Sequence, residues 1–147
     1  STSINKSVAI GGSAKASVSA IAIGTNSISG QYALSIGESA SAGNRSVSLG
    51  LEATSEVFGV SIGDGSSLTT HSASLGRGAV SAIDALALGS FSNAFNNSTV
   101  VGYTSSTVSS NSTAIGNLSE AGETGTSNAS IALGRAAKCY GDDSTCI

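Results

Sequence analysis

The chain has no proline, no methionine, no tryptophan and a single histidine, and aromatic residues make up only 4% of its 147 residues. Each shortage excludes something. A conventional core is filled by large side chains, and three phenylalanines with three tyrosines cannot supply one. Charged residues reach only 10% and the net charge is −3, which leaves no basic footprint for a nucleic acid. No apolar run approaches the roughly eighteen residues of a membrane span, so no membrane insertion by this segment is expected. The missing initiator methionine and signal peptide read as a piece cut from a longer chain. Yet at 39% hydrophobic residues the chain is too apolar and too weakly charged to be disordered.

What the sequence does have is glycine, 19 of them, and most are periodic. Glycines that close an apolar–small–apolar phrase stand at 11, 24, 37, 50, 63, 76, 89 and 102, each thirteen residues after the last. Gly116 and Gly134 follow at spacings of fourteen and eighteen. The residue before each glycine is Ile, Leu or Val, as in Ile10, Leu49 and Val101. Two positions earlier stand residues such as Val8, Ile21, Leu34 and Val47, and the position between is always small in the early coils: Ala9, Ala22, Ser35, Ser48. Such a chain is read through its columns rather than through single motifs.

Within a repeat, Val47-Ser48-Leu49 alternates with the period of a strand. It reads in–out–in, with the large residues inside and the small column outside. A second short alternation, such as Ala14-x-Ala16 or Ala40-x-Ala42, supplies a second strand. Helical spacing is absent, and Ser, Thr and Gly weaken helices. Two strands and two bends per thirteen residues predict an all-β solenoid whose coils pair in parallel, a rod on the order of 50 Å long at ladder spacing. A core of about two branched side chains per coil is thin for the chain it must order. The small column is therefore expected to pack closely against another copy, in a homo-oligomer.

"SVAIGGSAKAS", "SVSLGLEATSE" and "SIALGRAAK" resemble the head repeat of trimeric autotransporter adhesins, the YadA-like heads. The resemblance runs from Ser7 to about Cys139. It implies a left-handed parallel β-roll of about ten coils, assembled as a homotrimer, extracellular and held on a bacterial surface by outer-membrane-anchored regions outside this segment. It implies attachment, non-enzymatic and without a cofactor, to a host-surface or matrix protein or glycan. The expected organisation is one head domain over 1–147, with regular coils over 7–116, an enlarged coil with a loop over 117–134 and a disulfide-closed cap over 135–147.

Cys139 and Cys146 are read as that disulfide, with free thiols as the alternative; four soft ligands for a metal are not available. His71 has Asp84 one coil away, but a lone pair on a convex surface makes a poor catalytic triad, and a solvated face is the expectation. Glu38, Glu52 and Asp64 fall in adjacent columns without the groove and aromatics that a sugar-cleaving pair needs. Large exposed residues in register suggest a contact surface instead: Tyr32, Arg45, Phe58 and His71 in one column, with Phe91, Phe95 and Tyr103 as a second patch. The extra residues around "SEAGETGT" are expected to bulge as a loop. Seven of nine asparagines head an N-x-S/T sequon (Asn5, Asn44, Asn96, Asn97, Asn111, Asn117 and Asn128), which a repeat rich in Asn turns followed by Ser or Thr produces by itself.

Two other readings share this architecture. One is a receptor-binding or shaft segment of a phage or viral fibre. The other is an ice-binding solenoid, against which the threonines fail to hold one column over successive coils.

Overall fold

The computed structural model describes residues 2–3, 6–122, 129–141 and 143–147. The sequons at Asn5 and Asn128, and the later part of "SEAGETGT", lie outside the described residues. The chain winds as a parallel β-solenoid with two sheets of eleven strands each. One sheet is narrow, with two-residue strands running from Thr2–Ser3 to Lys138–Cys139. The other is broad, with three-residue strands from Val8–Ile10 to Ile131–Leu133 and a last strand at Thr145–Cys146. Each strand pairs with its counterpart one coil away, so Val47 lies beside Val60 and Leu49 beside Ile62.

The corners are laddered as well as the strands. Gly50 donates its N–H to the carbonyl of Ile36 at 2.9 Å, and Arg45 donates to Gln31 at 2.8 Å. Backbone groups at the turns are thus satisfied by the coil below, as an interior with little water requires. The periodic glycine is the residue that makes this stacking possible. Gly50 has φ +136°, and a Cβ there would stand 2.7 Å from the carbonyl carbon of Gly63.

The faces are the reverse of the sequence expectation. Ser35, Ser48, Ser61, Ser74 and Ala87 point inward and are fully buried. Val60 and Ile62, on either side of Ser61, point outward, and Ile62 is 37% exposed. The reason is volume. Two strands joined by turns of about four residues close a narrow lumen, which alanine and serine mostly fill, with Leu68, Val100 and Thr107 as larger side chains that it admits.

Serine makes this small core cohesive. Ser48 and Ser55 meet hydroxyl to hydroxyl at 2.6 Å, and Ser61–Ser66 and Ser74–Ser81 do so at 2.7 Å. Ser48 also donates toward the Ser41 carbonyl across the coil at 2.7 Å. A buried hydroxyl is tolerated because it is paired. The apolar residues counted as core instead form two outward ranks along the broad sheet, among them Val8, Ile21, Val60 and Ile131 in one and Ile10, Ile36, Leu88 and Ile115 in the other.

Three departures from thirteen, at Thr99↔Thr113, Thr113↔Ile131 and Ile131↔Thr145, fall in the same turn, the one leading from the narrow strand to the broad strand. Between Thr107 and Thr113 one extra residue is accommodated, and Ser109 there is buried. The longer insertion falls between Glu120–Ala121 and Ile131–Leu133. Beyond it the chain winds one more coil instead of folding across the end, with Ile131 beside Thr145 and Ala132 beside Cys146. Cys139 and Cys146 occupy the interior columns of the two sheets and are joined by a disulfide, their Cα atoms 5.5 Å apart. Cys139 is fully buried.

Candidate functional site

Among the described residues, each regular turn from narrow to broad strand contains one residue in the left-handed region. Asp84 and the asparagines Asn97 and Asn111 suit that conformation, and Ser19 is at least small. In four successive coils the position is held by Tyr32, Arg45, Phe58 and His71, with φ of 57°, 57°, 59° and 57°. Bulky side chains in this region cost on the order of 1 kcal/mol or more each. The chain therefore carries four large side chains in one line at strained positions, as it also does singly at Lys6 and, at the other corner, at Glu52, Phe91 and Leu118.

Coil spacing turns that line into a stack. The Arg45 guanidinium lies between two rings, 5.9 Å from the Tyr32 centroid and 5.6 Å from that of Phe58. Phe58 and His71 stack nearly parallel, with centroids 5.2 Å apart and planes 9° off. His71 Nδ1 stands 3.8 Å from Asp84 Oδ1, both side chains more than half exposed. Such a solvated pair has neither a nucleophile nor an enclosure beside it. The four residues expected in one column are thus in direct succession, and Asp84 extends the line.

Beside this stack runs the preceding turn column, Gln31, Asn44 and Val57. Asn44 Oδ1 accepts a hydrogen bond from the Gln31 backbone N–H at 2.9 Å, which fixes its side chain along the rod. Between the two columns lies a shallow recess lined by Gln31, Tyr32, Asn44, Arg45, Val57 and Phe58. Among the described residues the ion pairs are His71–Asp84 and Lys138–Glu120, so Arg45 has no carboxylate partner.

The second patch divides. Phe91 and Tyr103 meet edge to face with centroids 6.3 Å apart, and Arg77 covers Phe91 at 4.8 Å. Phe95 belongs to the opposite corner of the coil, where its N–H donates to Thr107 Oγ1 at 2.9 Å. Phe91 follows a broad strand and Phe95 follows a narrow one, a distinction that sequence proximity conceals. Glu38, Glu52 and Asp64 are exposed at the Phe91 corner. The Asp64 carboxylate accepts from the Leu51 N–H at 3.3 Å, a bond that serves the turn.

One cluster escaped the sequence reading. Glu120 accepts from the Tyr140 hydroxyl at 3.0 Å and lies 3.6 Å from the Lys138 ammonium. The hydrogen bond to Tyr140, then the charges of Tyr140 and Glu120, hold the Lys138 pKa above its ordinary value. Its signal was the register Glu120↔Lys138, which the eighteen-residue spacing hid.

The YadA head domain repeat matches residues 96–119, in two copies. No curated protein matches the sequence. The crystal structure of the collagen-binding domain of the Yersinia adhesin YadA is similar over 99% of this chain, at 27% identity and a TM-score of 0.51. The chain is YadA-like in its head repeat and in its fold. It spans 66% of the length of that Yersinia domain. The likeness is to the head of an adhesin.

Proposed function

We propose that this head, taken as one unit over 1–147, assembles as a homotrimer on a bacterial surface fibre and attaches it to host matrix or cell surfaces. The observation that carries the reading is the pair of outward apolar ranks on the broad sheet. Half-exposed Val, Ile and Leu side chains recur along both ranks, from Val8 and Ile10 to Ile115 and Ile131, with Ala73, Thr99 and Thr113 interrupting the first. Contiguous apolar surface on this scale marks an interaction face. A lumen of alanine and serine contributes little apolar burial of its own, so covering those ranks with other copies supplies what the single coil stack lacks. The Yersinia domain is described as collagen-binding, and a matrix protein is accordingly the first ligand to test. Attachment would draw its strength from three identical faces and many fibres per cell, which convert weak contacts into avidity.

Light scattering gives the mass of the assembly, expected to be three chains. Binding of the trimer to immobilised collagen, laminin and fibronectin, against an albumin-coated surface, tests the attachment. A stable folded monomer at micromolar concentration would overturn the trimer, and equal binding to albumin would overturn matrix recognition.

A further inference from the structure

We infer that the recess beside Arg45 is a binding site for the carboxylate of an acidic saccharide, which deepens the attachment reading above and rests on it. Four observations converge. The first is conformational: Tyr32, Arg45, Phe58 and His71 hold one left-handed column in four successive coils, where Ser19, Asp84, Asn97 and Asn111 stand in other coils and Lys6 is the other long side chain. Persistent strain at successive positions points to a use for these side chains.

The second is the state of the cation. Arg45 is held between the Tyr32 and Phe58 rings, and no carboxylate pairs with it among the described residues. An arginine that is stacked yet unpaired keeps its planar donors available for a carboxylate from outside. Its position is fixed before a ligand arrives, so little side-chain freedom is lost on binding.

The third is the lining. Gln31 and Asn44 place side-chain amides beside the guanidinium, and Tyr32 and Phe58 supply apolar walls. Amides pair with hydroxyls, rings accept the C–H face of a sugar, and the guanidinium takes the acid. Tyr32 is 60% exposed, and the neighbouring coil carries only Ser19 in its column, so one ring face is open to a pyranose. The fourth is what the site withholds. Both sheets are paired on either side of these coils, through Ser35↔Ser48 and Ser41↔Thr54, so no strand edge is offered to an extended peptide. The chain carries a net charge of −3, so the recess draws on local geometry rather than on a general basic field.

The test is an NMR titration of the intact ¹⁵N-labelled assembly with a hyaluronan hexasaccharide, in which every second sugar is a uronic acid. A neutral N-acetylglucosamine hexamer and a hexaglutamate peptide are the other two arms. Saturable shifts confined to Gln31, Tyr32, Asn44, Arg45 and Phe58 are expected with hyaluronan, with affinity about tenfold lower for the neutral hexamer and for the peptide. Arg45→Gln should weaken hyaluronan binding by about tenfold, whereas Arg77→Gln, at the other stacked arginine, should leave it unchanged. Circular dichroism confirms that both variants keep the fold. Equal or tighter binding of hexaglutamate would make the site an acidic-peptide site and overturn the proposal. Equal binding of the neutral hexamer, equal effects of the two arginine variants, or shifts elsewhere would also overturn it. No matrix protein enters this titration, so its failure leaves the attachment reading to its own assay.

Discussion

The Leu68 side chain fills the space that a Cβ on Gly59 would occupy. Both belong to one coil. Leu68 is the single leucine among the buried core residues, in a column otherwise built from residues such as Ala42, Ser55 and Ser81. A large residue is thus admitted to the lumen where the chain has removed a side chain opposite. Gly59→Ala is expected to destabilise by about 1–3 kcal/mol through overpacking. In the Leu68→Ala background the same change should cost much less, because the space is then free. A thermal double-mutant cycle measures the coupling, and additive effects would mean the two residues do not share that volume.

The inverted faces give a second expectation. Ile62 faces outward on the broad sheet, whereas Ser61 points inward and bonds Ser66 at 2.7 Å. Ile62→Asp should leave far-UV circular dichroism close to wild type while lowering the mass by light scattering from three chains to one. Ser61→Leu should abolish the β signal, since nothing opposite Ser61 makes room. Lys15→Asp, on the exposed face of the narrow sheet, should change neither readout. If Ile62→Asp kept the trimer, the apolar ranks would not be the contact between copies.

Period, strand count per repeat and parallel stacking were legible in the sequence because each depends only on recurrence. The direction of the side chains was not. Alternation in Val47-Ser48-Leu49 fixes that neighbours face opposite ways but leaves open which way is in, and the usual assumption puts the larger residues inside. Coil circumference decides otherwise here, and thirteen residues closed by two short turns leave room for only a few of them, such as Leu68 and Val100. The Tyr32–Arg45–Phe58–His71 line could be found because it follows the regular spacing. The Glu120–Lys138–Tyr140 cluster could not, because the insertion before Ile131 breaks that spacing. Phe95 was grouped with Phe91 because columns on opposite corners sit only a few residues apart in the chain.

The glycine column should be far less tolerant than its abundance suggests. Gly50 has φ +136° and no room for a Cβ against Gly63, while the neighbouring site Gly12 has only Thr25 Cγ2 at 3.8 Å from such an atom. Gly50→Ala combines backbone strain with a clash against main chain that cannot rotate away, and about 2–3 kcal/mol or more should be lost. Gly12→Ala should shift the melting temperature little. Equal tolerance of the two substitutions would show that the coils can spread to admit a side chain at the corner.

Cys139 and Cys146 join the narrow sheet to the broad sheet from inside the last coil, so the disulfide should act as a local lock at that end of the rod. Cys139 is held to the coil before it by the register Ala121↔Cys139, and Cys146 by Ala132↔Cys146. Without the bond, this coil is held by its small lumen and by its ladder to the coil before it. Closing so short a loop is worth roughly 2–3 kcal/mol in the chain-entropy account, and that stabilisation should disappear on reduction. Because each coil contacts only its neighbours, the effect should fade along the solenoid rather than unfold it as a unit. Hydrogen exchange with and without reductant is expected to show faster exchange at Gly122, Ile131 and Gly134, whose N–H groups are bonded near that end, and unchanged exchange at Gly37 and Gly50. Alkylation followed by mass spectrometry of the untreated protein should find no modified thiol. Two modified cysteines would remove the bond itself, and uniform loss of protection along the chain would remove its local character.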